Sequence, residues 1–442
     1  MTNNNSYRSI IFVIILFFIS FVFIVSCSND NHSEPPSTPN TENLTFLDIT
    51  NAKNLFIASV NNTKSTNNKL FKITNSGYVE EVKYYNEERN EISLMYQPIA
   101  IYNVNSEYVI VCFGIDKYSI ASGYLVRKSD GAVFSLENAG FPIEPQNYFK
   151  NAKIIHTDQE GNIYYLRFTS NLREIVKLNT KNPASITAEV YSPFTDSIEA
   201  FVVDPRGNIL YGGFLGEIGV SPDYTKKVFR IKMANGAIYN LSIPGGENIF
   251  WRGPDGNFYY IIEDYEIIDY TYYYFKRIKK ITITQNYEIN ESIYGDPFDF
   301  LPNRIGFILN FNNSIINVVE NSIFEIYNSS NQPREVILPG LRFQSIYLAV
   351  SSPNYYYIAG KNEDYQPVLV KVNPLNDSYS FLINPGEYEV YKMTVSNDDE
   401  LTFSALRRFD GAKIIGKVDS TGKLTIIDES LNTEIVILER IN

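Results

Sequence analysis

Few side chains in this chain could do bond-making chemistry, and their positions narrow the options further. The 442 residues hold two histidines and two cysteines. His32 sits in a tract of Pro, Ser, Thr and Asn, and His156 precedes the acidic turn Asp158-Gln159-Glu160-Gly161. Histidines placed so cannot share one folded zinc site, which removes the usual zinc-hydrolase constellations. A Ser-His-Asp relay would depend on His156 alone, and no Gly-x-Ser-x-Gly elbow accompanies it. No P-loop, dinucleotide fingerprint or haem-attachment motif occurs. Cys112 lies in the apolar run Tyr108-Val109-Ile110-Val111-Cys112-Phe113, where a thiol packs as a small hydrophobe. The catalytic assignment is therefore none.

Four acidic turns offer carboxylate and carbonyl oxygens, the donors that calcium takes. They are Asp158-Gln159-Glu160-Gly161, Asp204-Pro205-Arg206-Gly207, Pro254-Asp255-Gly256-Asn257 and Asn397-Asp398-Asp399-Glu400. None has EF-hand spacing, and plain β-turns need no ion. The expectation is no cofactor, with Ca2+ as the one candidate and no metal ligand assigned.

The best candidate for recognition is a tyrosine-rich stretch over residues 263–277. Asp264, Tyr265, Asp269, Tyr270, Tyr272, Tyr273 and Tyr274 are its candidate binding residues. Each ring joins apolar area to a hydroxyl, which suits a protein or glycan partner. The bland reading is a long hairpin whose tyrosines pack on neighbouring blades. A second insertion runs over residues 214–224.

Residues 10–25 form an apolar run that ends in Ile24-Val25-Ser26-Cys27. This ending resembles the bacterial lipobox. The resemblance implies cleavage before Cys27 and a lipid on Cys27, hence a membrane anchor rather than a span. Residues 1–26 are then a lipoprotein signal peptide. Residues 27–44 follow as the lipidated Cys and a disordered tether, too polar and Pro-rich to build a core. Residues 45–442 are left as the folded part. The location implied is the bacterial cell envelope, with the outer membrane or cell surface favoured over the inner membrane.

The elements that position these residues repeat. His156 to Tyr165, Val203 to Tyr211 and Arg252 to Tyr260 each carry a Gly-Asn turn that feeds a short strand. Their glycines, Gly161, Gly207 and Gly256, stand 46 and 49 residues apart. Glycine supplies the positive φ such turns need. Weaker copies begin near Asn54, Glu107, Ser314, Asn354 and Glu400. A second marker runs in another phase: an alternating strand, a basic residue, an aliphatic residue, then a turn, as in Leu70 to Gly77 or Phe229 to Gly236.

Strand formers fill these segments, and helical periodicity is hard to find after residue 44. Several short strands per unit of 40 to 57 residues is the pattern of a β-propeller blade. The fold class expected is all-β, a propeller of eight blades, with seven as the alternative count. The chain resembles bacterial propellers of the NHL, YVTN and quinoprotein-like kind. Residues 44–49 and 433–439 are the candidate strands for closing the ring. A β-helix would show a shorter period, and sandwiches would not space the turns evenly.

The net charge of −12 argues against nucleic acid and anionic lipid as partners. The leading expectation is a monomeric, non-catalytic binding or scaffolding lipoprotein. The alternative is a propeller hydrolase or lyase with Ca2+ or paired carboxylates at the central channel.

Overall fold

Tyr, Phe, Ile and Val crowd the segments after each turn, and their branched and aromatic side chains suit a pleated surface better than a helix. The result is strands alone, with no helix among the described residues. This computed structural model describes residues 44–441. Excepted are 63–64, 95, 115–119, 138, 141, 143–154, 170–171, 182–185, 192–195, 218–219, 242–249, 269, 299–306, 312–313, 329–332 and 430–432. The leader, the tether and Cys27 lie outside the described residues. One compact unit spans Thr45–Asn442.

Its strands follow in chain order. They begin with β1 (Phe46–Leu47), β2 (Ala52–Asn62), β3 (Ser65–Thr74), β4 (Val79–Glu81), β5 (Tyr84–Tyr85) and β6 (Glu91–Ile92). Next are β7 (Gln97–Asn103), β8 (Tyr108–Gly114), β9 (Ile120–Arg127) and β10 (Val133–Ser135). Then come β11 (Ile155–Thr157), β12 (Ile163–Thr169), β13 (Leu172–Asn179) and β14 (Thr187–Val190). The fourth group is β15 (Asp196–Val203), β16 (Ile209–Glu217), β17 (Val220–Lys232) and β18 (Ile238–Asn240). The fifth is β19 (Phe250–Arg252), β20 (Phe258–Ile268), β21 (Thr271–Ile283) and β22 (Ile289–Phe298). The sixth is β23 (Phe307–Phe311), β24 (Ser314–Val319), β25 (Ser322–Tyr327) and β26 (Arg334–Glu335). The seventh is β27 (Phe343–Ser351), β28 (Tyr356–Asn362), β29 (Pro367–Asn373) and β30 (Ser378–Phe381). Last are β31 (Tyr388–Val395), β32 (Leu401–Arg407), β33 (Lys413–Val418), β34 (Leu424–Asp428) and β35 (Glu434–Arg440).

These strands pair as eight four-stranded antiparallel sheets plus one small three-stranded sheet. Seven of the eight take four consecutive strands. The first sheet runs β35-β2-β3-β4, so the last strand of the chain supplies its first position. Burial falls from the second strand outward. Every residue of β8 is buried, whereas β18 is exposed throughout.

The cores lie between sheets. Tyr164, Phe201 and Tyr211 fill the seam between the third and fourth. Phe229, Phe258 and Tyr260 fill the next. Phe56, Phe71, Ile415 and Leu438 join the eighth sheet to the first, and Ile437 packs on the cluster of the second and third. Sheets stacked face to face and returned to the first form a β-propeller.

The closing strand over 434–440 is where the sequence places it. The other candidate, residues 44–49, does not join that sheet. Phe46 and Leu47 pair with Tyr85 and Tyr84 in the β1-β5-β6 sheet instead. Leu47 N–H donates to the Gly131 carbonyl at 2.9 Å, and a Cβ at Gly131 would stand 2.0 Å from the Leu47 carbonyl oxygen. This segment is held by the second sheet, which leaves β2 to receive β35.

Candidate functional site

Antiparallel order within each sheet sends alternate connections to opposite ends. The two repeating sequence markers become the first-to-second and third-to-fourth turns, so they emerge at one end. The second-to-third hairpins emerge at the other.

At the turn end, the acidic turns direct their carboxylates inward. Asp158 accepts from the Glu160 and Asn162 backbone N–H groups at 2.9 and 3.0 Å, from Asn162 Nδ2 at 2.7 Å and from the Tyr164 hydroxyl at 2.9 Å. Asp204 repeats the pattern on Arg206 N–H, Asn208 N–H and Asn208 Nδ2 at 2.8, 2.8 and 2.7 Å. Asp255 repeats it on Asn257 and the Tyr259 hydroxyl, with Lys280 Nζ added at 2.8 Å. Burial would raise the Asp255 carboxyl, but Lys280, Asn257 and Tyr259 together hold it below the usual range. Asp399 accepts from Ser352 and Asn354 of the seventh sheet.

Carboxylates surrounded by N–H and O–H donors orient their lone pairs to those donors rather than to a cation. Among the described residues no three His, Cys, Asp or Glu side chains gather as a metal group. Neighbouring turns also interlock: Gln159 N–H donates to the Pro205 carbonyl, and Arg206 donates to the carbonyls of Ile283 and Thr284. A cleft of about 270 Å³ lies between them, lined by Asp204, Arg206, Asp255 and Phe258 among others.

At the hairpin end stands the tyrosine stretch. β20 and β21 pair from Phe258–Ile281 out to Ile268–Thr271. β19 reaches only Phe258 to Tyr260, so the hairpin runs on past that neighbour. Tyr265 and Tyr272 are 53% and 56% exposed, and their rings meet at 5.5 Å, tilted by 54°. Ile267, opposite Tyr272, is exposed as well. Tyr270 at the tip is 99% exposed with φ 62. That is the left-handed region, which disfavours a Cβ-bearing residue by about 1–2 kcal/mol. Tyr265 and Tyr272 therefore pack on each other across the hairpin while about half of each residue stays exposed. Asp264, Tyr273 and Tyr274 fall on β20 and β21 by register; their side chains, and all of Asp269, lie outside the described residues.

Two further tips share this end and were not read from the sequence. Tyr365, with φ 58, and Phe409 are both largely exposed, at the β28–β29 and β32–β33 hairpins. Arg407 lies over the Phe409 ring at 4.9 Å and pairs with Asp410 and Glu429. The available signal was an aromatic residue inside a short polar turn, as in Glu363-Asp364-Tyr365.

The remaining chemistry-bearing residues are in the core. Burial pushes the Cys112 thiol up to about 12, so it stays protonated and inert. His156 is buried on β11, edge-on to Phe201 at 4.9 Å.

No family model matches the chain, and no curated protein matches it. Among solved structures it is similar to virginiamycin B lyase from Staphylococcus aureus at 15% identity, over 64% of this chain and 86% of that one, with a TM-score of 0.36. It is similar to a puromycin hydrolase at 13% identity, over 75% and 53%, with a TM-score of 0.46. It is also similar to Porphyromonas gingivalis dipeptidyl peptidase 4 at 8% identity, over 74% and 53%, with a TM-score of 0.47. The chain spans about half the length of the latter two. Similarity at this level assigns no activity to this chain.

Proposed function

We propose that this chain is a lipid-anchored, non-catalytic binding protein of a bacterial cell envelope, whose propeller presents the β20–β21 hairpin to a protein or glycan partner. The observation that carries the reading is the exposed group Tyr265, Ile267, Tyr270 and Tyr272 on a hairpin that outruns its sheet neighbour. Large rings on a paired, stiff element lose little conformational freedom on contact, which is how interface anchors act. The aliphatic Ile267 beside the rings favours a protein surface over a glycan. Anchoring through Cys27 rests on the Ile24-Val25-Ser26-Cys27 ending, and what supports an outer-membrane or surface location is Ser28 with the acidic Asp30 and Glu34 after the cysteine.

Crosslinking capture from intact cells tests the site. The triple variant Tyr265→Ser, Tyr270→Ser, Tyr272→Ser loses the partners that the wild type captures; unchanged capture removes this hairpin as the site. Palmitate labelling that vanishes in Cys27→Ser supports the anchor, and labelling that persists refutes it. Protease shaving of intact cells then decides between surface and periplasm.

A further inference from the structure

Apolar faces pack neighbouring sheets together in this ring, and one seam departs from that rule. Between the first and eighth sheets the described cluster has seven buried residues, among them Phe56, Phe71, Ile415 and Leu438. Between the seventh and eighth it has thirteen. The register gives the reason, since cross-strand partners share a face. Asn54 lies opposite Ile73 and Arg440, so both polar residues stand on the face that carries Ile73 into the seam. Ser404 lies opposite Lys392 and Ile415, which puts Ser404 and Lys392 on the facing side.

The polar groups there are poorly matched. Asn54 is fully buried, yet neither its side-chain oxygen nor its nitrogen has a hydrogen-bond partner. The buried hydroxyls of Ser404 and Thr433 have none either. Trp251 and Tyr356 are single cases in two other seams. A cavity of about 300 Å³ adds to the mismatch, with Lys392 and Ser404 on the eighth sheet and Thr433, Glu434 and Ile435 on the closing segment. Unpaired buried atoms and missing contacts both favour a parted seam, where water reaches them. An ion cluster at the turn end opposes this. Glu400 of the eighth sheet meets Lys53 and, at 3.8 Å, Arg440 of the first, and Lys417 of its own sheet at 2.8 Å. These side chains are partly exposed, so salt screens them.

We propose that the ring is built to open at this seam. The first sheet, with β35 in it, parts from the eighth while the other seams stay packed, and the Glu400 cluster sets how often. Stacked sheets contact only their neighbours, so a ring of them opens at its weakest interface.

Thiol labelling of the full chain under native conditions tests the opening. Ala58→Cys places a probe in this seam, and Ala359→Cys places a matched one between the seventh and eighth sheets; both alanines are fully buried. Cys112, buried in the cluster of the second and third sheets, is a reference in every variant. The expected result is that the Ala58→Cys thiol labels about tenfold faster than the Ala359→Cys thiol and Cys112. Adding Ser404→Ala and Thr433→Val removes unpaired hydroxyls and slows it about tenfold. Adding Glu400→Gln, or about 0.5 M KCl, speeds it about two- to fivefold. Cys112 is unchanged by all three. Ile435→Cys carries the probe from the closing strand if Ala58→Cys does not fold. Equal labelling of the two seams overturns the opening. Changes that move Cys112 in step report unfolding of the whole ring and overturn it as well. A seam rate that ignores both Glu400→Gln and salt refutes the role of the ion cluster.

Discussion

Asp204 shows how one residue sets a turn. Its carboxylate is buried, and it pairs with two backbone N–H groups and the amide of Asn208, itself fully buried. Asp204→Ala leaves those donors unpaired and lowers stability by about 2–3 kcal/mol, read as a shift in the urea midpoint. The same deletion at the half-buried Asp419 shifts it less. Equal shifts would mean that burial is not the cause. Glu439 sets a pH window. Burial pushes its carboxyl from 4.5 up to about 7, against the opposing pull of Lys392. Between those values the folded chain keeps a proton that the unfolded chain has released. Stability then falls as pH rises through the window and levels off above it. Glu439→Gln flattens that slope, and an unchanged slope in urea titrations rejects the assignment. The turn glycines were legible in the sequence because only their type gives the φ of 84, 82 and 79 seen at Gly161, Gly207 and Gly256. Glu439 was not, since its environment comes from β31 and its own strand near the end of the chain.

Among the hairpins, β20–β21 combines length with a strained aromatic tip. A tip residue at φ 62 would be most relaxed as glycine. Tyr270→Gly is therefore expected to raise stability by about 1 kcal/mol while weakening partner capture. Urea unfolding and the crosslinking assay, run on the same variant, check the two halves. A Tyr270→Gly chain that is no more stable refutes the strain. The presence of this hairpin was legible, because the spacing to the next turn is the longest in the series. The exposure of Tyr265 and Tyr272 was not, since alternation along a strand gives two faces without saying which one a neighbour covers. The tips at Tyr365 and Phe409 went unread for a similar reason: each is one residue in a short turn, and only the shared end of the sheets groups them with Tyr270.

At the scale of the whole molecule, closure depends on one strand. β35 pairs with β2 and lies against β31 and β7, so it touches the first, second and eighth sheets. Leu438 sits in the cluster that joins the eighth sheet to the first. Leu438→Ala removes packed methyl groups at a seam and costs about 2–4 kcal/mol. In a closed ring this loosens both neighbours, so hydrogen exchange speeds up in β2 and in β31 to β33 together. Faster exchange confined to β35 would mean that the seam is a local attachment and not the closure.

The sequence by itself determined the strand class, the repeat and the turn chemistry. Strand propensity, positive φ and side-chain-to-backbone hydrogen bonds act over a few residues, so residue type and spacing express them directly. It also marked the acidic turns, and their donors, Asn162 and Asn208, were already in the repeated Gly-Asn motif. The tertiary structure decided which terminal segment closes the ring. Residues 44–49 and 433–439 both read as apolar strands, and pairing with β5 together with the Leu47 N–H bond to the Gly131 carbonyl draws the first of them away. It also decided which end of the sheets each turn occupies, and it set Lys392, Ser404 and Thr433 around one cavity. Those relations join residues far apart in the chain, and the packing of one sheet on the next fixes them.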